Sequence, residues 1–130
     1  MLISVKGLYK NHKKGMIYMS KLEELAEKIT KLISDYNLDS DVAIYFGGKR
    51  LDCFSTNDED DWIEVEEVKG SEYCQYANDD TITMTFEGPL YDAINYGGYG
   101  EFMKKLDKLI SDYGYYYELG NAWNLALYKL

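Results

Sequence analysis

The hexapeptide Lys31-Leu32-Ile33-Ser34-Asp35-Tyr36 recurs letter for letter as Lys108-Leu109-Ile110-Ser111-Asp112-Tyr113. In both places it ends a helical stripe. Leu22, Leu25, Ala26, Ile29, Leu32, Ile33 and Tyr36 fall on one face at the helical period, which predicts a helix over 21–36. Ser20 and Glu23 form a capping box at its start, and Asn37 suits the left-handed residue at its end. Phe102, Leu106, Leu109, Ile110 and Tyr113 predict a second helix over 101–113, closed by Gly114. Each copy is followed by a glycine-turned hairpin, so the repeat raises a duplication of αββ units.

Strand patterns fill the space between and after the helices. Asp41–Phe46 and Leu51–Ser55 read as a hairpin around Gly47-Gly48, and Trp62–Val68 reads as a third strand. Thr81–Phe86 alternates strictly, with Ile82, Met84 and Phe86 expected in the core and the threonines outward. Residues 70–80 read as a loop, and Gly88-Pro89 opens a short helical turn through Asn95. Tyr115–Leu119 and Ala122–Tyr128 form a last hairpin around Gly120-Asn121. The predicted order is α-β-β-β-β-α-β-β. That is an α+β fold, a mainly antiparallel sheet of about six strands with two longer helices on one face.

Residues 1–18 hold Lys6, Lys10, His12, Lys13 and Lys14 without an acid, and read as a basic, poorly ordered extension. Residues 19–130 read as a single domain. The apolar runs are a few residues long, too short for a bilayer span or a signal peptide. Cys53 and Cys74 are too few for a disulfide framework. A cytoplasmic protein with reduced thiols and no membrane partner is expected.

The 130 residues carry 23 acids and 14 bases, a net charge of −9. Division by position changes what that number means. Residues 1–50 are net +3 and residues 102–130 net +1, while residues 51–101 set fourteen acids against Lys69 alone, net −13. Such a field argues against direct contact with nucleic acid, whose phosphates demand cations. It suits docking on a basic protein. Asp58, Glu59, Asp60, Asp61, Glu64, Glu66 and Glu67 form its densest run, with Glu64 and Glu66 on the strand side that also carries Trp62. There are 14 tyrosines against four Phe and two Trp. Tyr73, Tyr76, Tyr96 and Tyr99 lie in loop-like stretches rich in Gly, Asn and acids, a composition that suits protein contact.

Catalytic patterns are weak. His12 is the single histidine and lies in the extension, so no Cys–His or Ser–His pair is evident. Cys53 reads as a small core hydrophobe, and acidic surroundings should raise the Cys74 pKa. An EF-hand loop counted from Asp58 would need Gly at its sixth position and Glu at its twelfth, where Ile63 and Lys69 stand. Gly97-Gly98-Tyr99-Gly100 lacks the Lys-Ser/Thr pair of a phosphate loop. No enzyme activity, cofactor or metal is therefore expected.

The expected function is a protein-binding inhibitor whose acidic, tyrosine-rich surface occupies a basic, nucleic-acid-binding site on a partner such as a nuclease. DNA-mimic, anti-restriction, anti-CRISPR and nuclease-immunity proteins share this general composition. The alternatives are a small-ligand protein or minor enzyme with a pocket near residues 89–100, and a homo-oligomer joined through the tyrosines.

Overall fold

A computed structural model describes residues 2–4, 20–53 and 62–130. In chain order the elements are β1 (Leu2–Ser4), α1 (Lys21–Asp35), β2 (Val42–Phe46), β3 (Lys49–Cys53) and β4 (Ile63–Glu66). A 3-10 turn (Gly70–Glu72), β5 (Thr83–Phe86), α2 (Pro89–Tyr96), α3 (Gly100–Asp112), β6 (Tyr115–Asn121) and β7 (Asn124–Lys129) follow. The strands form one antiparallel sheet in the order β1-β4-β3-β2-β5-β7-β6. The α+β class and the order of the long elements match the sequence reading. Leu2–Ser4 pairs with β4 at one sheet edge, and the remainder of the stretch expected to be a poorly ordered extension, residues 5–18, lies outside the described residues.

The helices cover one face. Leu25, Ile29 and Ile33 of α1 and Phe102, Leu106 and Ile110 of α3 are buried against Val42, Ile44, Phe46, Leu51, Met84, Leu125 and Leu127. Each fully buried aliphatic side chain contributes about 2 kcal/mol by removal from water. The Ser20 hydroxyl caps α1 by accepting from the Glu23 amide at 3.1 Å. Asn37 ends that helix at φ +56, and Gly114 does the same for α3 at φ +88.

The hexapeptide repeat is expressed in the helix pair. Tyr36, at the end of α1, donates its hydroxyl to Glu101 at the start of α3 (3.0 Å). Tyr113, at the end of α3, donates to Glu24 at the start of α1 (2.9 Å). Lys105 lies over the Tyr36 ring at 5.4 Å and Lys28 over the Tyr113 ring at 5.2 Å. The helices are thus antiparallel with reciprocal contacts. The repetition does not extend to the sheet. The strand that follows α1 lies inside, next to β5, whereas the strand that follows α3 lies at the outer edge.

The other face is covered too, which the alternating pattern did not foretell. All five residues of β2 are buried, and Thr81 and Thr83, expected outward, are buried as well. Residues 69–80 lie across this face and cover them. Gly70 packs on Thr83, where an added Cβ would come within 3.1 Å of the threonine Cβ. The last turn also differs from expectation. Asn121 accepts from the Trp123 amide at 3.0 Å, so the hairpin turns at Ala122-Trp123 rather than at Gly120-Asn121.

Candidate functional site

Residues 69–80 are tied down at both ends and in the middle. The Val68 amide donates to Gly48 O (3.0 Å), and the Cys74 amide donates to Gly70 O (3.0 Å). Asn124 donates its side-chain amide to Gln75 O (2.9 Å). Asn78 donates its side-chain amide to Leu127 O (2.8 Å) and its backbone amide to Thr83 Oγ1 (2.8 Å). Ser71 and Asp79 close the segment on itself through the Ser71 amide at 3.1 Å and the Ser71 hydroxyl. Side chains outside the segment therefore hold its backbone in one path.

The segment presents tyrosines from that fixed backbone. Tyr73 is 54% exposed, yet its ring stacks on Tyr45 at 5.9 Å. The Arg50 guanidinium lies 5.3 Å from the Tyr73 ring and 5.8 Å from the Tyr45 ring, and its Nε donates to Asp52 at 2.8 Å. Burial pushes the Tyr45 hydroxyl and the Asp52 carboxyl up from their ordinary values, and Arg50 pulls both back. Tyr76 is 66% exposed and held at φ +62, a left-handed conformation uncommon for a bulky residue. Its Cβ lies where a side chain on Gly120 would begin, 2.9 Å from the ideal position.

Exposed carboxylates surround this stretch in sequence: Glu66, Glu67, Glu72, Asp79 and Asp80, against Lys69 alone. Glu67 also adopts a left-handed conformation, at φ +59. Glu64 departs from its expected place on a surface ridge. It is 3% exposed, points to the helix-covered face with Leu51, and pairs with Lys49 Nζ at 3.5 Å. The alternation that placed Glu64 beside Trp62 was correct, but that side is the core side, where the Trp62 indole donates to Ser34 at 2.9 Å. Asp58, Glu59, Asp60 and Asp61 lie outside the described residues.

Tyr96 and Tyr99 are exposed but belong to the helical layer. Tyr96 ends α2 against Tyr91, and Tyr99 precedes α3. The sequence signals thus divide between two elements, and Tyr73 with Tyr76 is the pair set within the acidic stretch. Arg50, Asp52 and Tyr45 are the supporting residues that sequence reasoning missed. Their spacing in β2 and β3 carries the signal, because Tyr45 and Arg50 are direct cross-strand partners.

Cys74 is partly buried and donates its thiol to Gly70 O. Its pKa is raised, as expected, but chiefly by burial, with Asp79 a smaller contributor. A cavity of about 40 Å³ lies between Gly47-Gly48 and Asn78-Asp79, room for roughly one water. An open groove of about 460 Å³ lies between α3 and β6. Neither is lined by residues 89–100. Among the described residues, no group of three or more His, Cys, Asp or Glu side chains is placed to hold a metal, and no helix is long and apolar enough to cross a membrane. No family model, curated protein or solved structure matches the chain.

Proposed function

We propose that the chain is a non-catalytic inhibitor that docks on a basic, nucleic-acid-binding site of another protein through the face carrying residues 67–80. The observation that carries this reading is the fixed, acidic, tyrosine-bearing segment laid over the sheet face opposite the helices. A surface meant only for solubility needs charge but not immobilised aromatic rings. Here Tyr73 is ordered in advance by Tyr45 and Arg50, which lowers the entropy lost on binding. The helical layer supports the same reading by contrast. α1 holds three lysines and four acids and α3 three of each, so neither long helix presents a comparable excess of acids.

In this mechanism Glu67, Glu72, Asp79 and Asp80 stand where phosphates would sit, steering a cationic cleft into contact. Tyr73 and Tyr76 then supply rigid contact area with polar tips. Inhibition follows from occlusion. The test is affinity capture from host lysate at low and high salt. It compares the wild type with Glu67→Lys/Glu72→Lys/Asp80→Lys and with Tyr73→Ala/Tyr76→Ala. Capture of a nucleic-acid-binding protein, lost in salt and in both variants, is expected. Equal capture by the folded variants contradicts the reading.

A further inference from the structure

The two sheet edges differ. β1 ends one side with three residues, a length that blunts an edge, whereas β6 ends the other with seven. Among the described residues nothing pairs with the outer side of β6. Which of its groups are open follows from the ladder. The Leu130 amide donates to Gly114 O (3.0 Å), and on the far side of β7 the Leu127 amide donates to Ile82 O (2.9 Å). Alternation then turns Tyr116 and Glu118 toward β7 and leaves the N–H and C=O of Tyr115, Tyr117 and Leu119 aimed outward. That run, Tyr115-Tyr-Tyr-Glu-Leu119, contains one charge and neither Lys nor Pro, the residues that guard exposed edges.

We infer that β6 is a self-pairing edge, and that its occupant is the β6 strand of a second copy of this chain. An antiparallel register centred on Tyr117 sets Tyr117 against its own counterpart and Tyr115 against Leu119. The three outward residues of each copy then exchange six backbone hydrogen bonds. In that register Tyr116 opposes Glu118, so no like charges meet, and Tyr115, Tyr117 and Leu119 form an apolar row on the helix side. The open groove between α3 and β6, lined by Ile110, Tyr115, Tyr117 and Leu130, borders the same edge.

Charge selects this occupant. A chain of net −9 repels its own copies over most of its surface, but residues 102–130 are net +1. A basic partner would be drawn to the other face instead. Edge pairing about a two-fold axis normal to the sheet keeps like faces on the same side. Both 69–80 segments therefore face one way, which doubles the acidic surface without using it.

The test is light scattering across a micromolar-to-millimolar dilution series, with hydrogen exchange on the same samples. A species of twice the 15.1 kDa chain mass is expected, with slow exchange at Tyr115, Tyr117 and Leu119. High salt should leave it intact, whereas it abolishes docking by the acidic face, so the two readings fail separately. Leu119→Pro removes an outward N–H that has no internal partner, and should give a monomer of unchanged circular dichroism. Leu119→Lys, which alters the side chain alone, should do the same. A wild type that is monomeric throughout the series, a dimer that survives both folded variants, or rapid exchange at these three amides overturns the inference.

Discussion

At residue 120 the chain has no room for a side chain. A Cβ there would come 2.9 Å from both the Asn124 carboxamide oxygen and the Tyr76 Cβ. Gly120→Ala should destabilise the protein by about 1–3 kcal/mol through overpacking and displace Tyr76, readable by urea unfolding and by the Tyr76 ring resonances. Arg50 is the second such position, because Asp52 and two tyrosine rings converge on its guanidinium. Arg50→Ala should cost about 2–4 kcal/mol, and Arg50→Lys should recover only part of it, since a lysine keeps the charge but not the planar fork. Glu64 shows how burial changes what a charge does. As a core-side residue it contributes to the fold near Lys49, so replacing it would test stability rather than docking.

The helix pair shows what an exact repeat can do without repeating a whole unit. Tyr36 and Tyr113 each reach across to the first turn of the opposite helix. Glu24 is held below the usual carboxylate range, chiefly by the Tyr113 hydroxyl, and Glu101 by Lys105 and then Tyr36. A carboxylate with a lowered folded pKa contributes stability that is present above its unfolded value near 4.5, and that contribution is lost as pH falls through the folded value. Tyr113→Phe should therefore lower the thermal midpoint at pH 7 and shrink the further loss seen as the pH is taken from 7 to well below 4.5. An unchanged loss would show that this contact has no pH-linked role. The helices were legible because a 3.6-residue stripe and its caps are local signals. The inward alternation of Ile82, Met84 and Phe86 was legible for the same reason. The burial of Thr81 and Thr83 was not, because it depends on residues 69–80 folding back over them, a contact that leaves no period in either stretch.

Among the described residues, charge is spread unevenly over the elements. The two long helices are close to neutral. The exposed acids Glu67, Glu72, Asp79 and Asp80 accompany Tyr73 and Tyr76 on residues 67–80, while Glu66, by strand alternation, falls on the Glu64 side of β4. Sequence arithmetic located the acidic stretch and named both tyrosines, because charge and composition are read directly from residues. It did not separate them from Tyr96 and Tyr99, which the chain path assigns to the helical layer. Nor did it find Arg50, Asp52 and Tyr45, whose support for Tyr73 arises from cross-strand register and a stacked ring. The central claim is that the acidic face replaces nucleic acid on its partner. The most direct measurement is competition on the captured protein, titrating this chain into the partner's complex with labelled nucleic acid at fixed low salt. The account predicts stoichiometric displacement by the wild type, and at least a tenfold weaker effect, about 1.4 kcal/mol, for Glu67→Lys/Glu72→Lys/Asp80→Lys. Simultaneous binding of this chain and nucleic acid to the partner would contradict it.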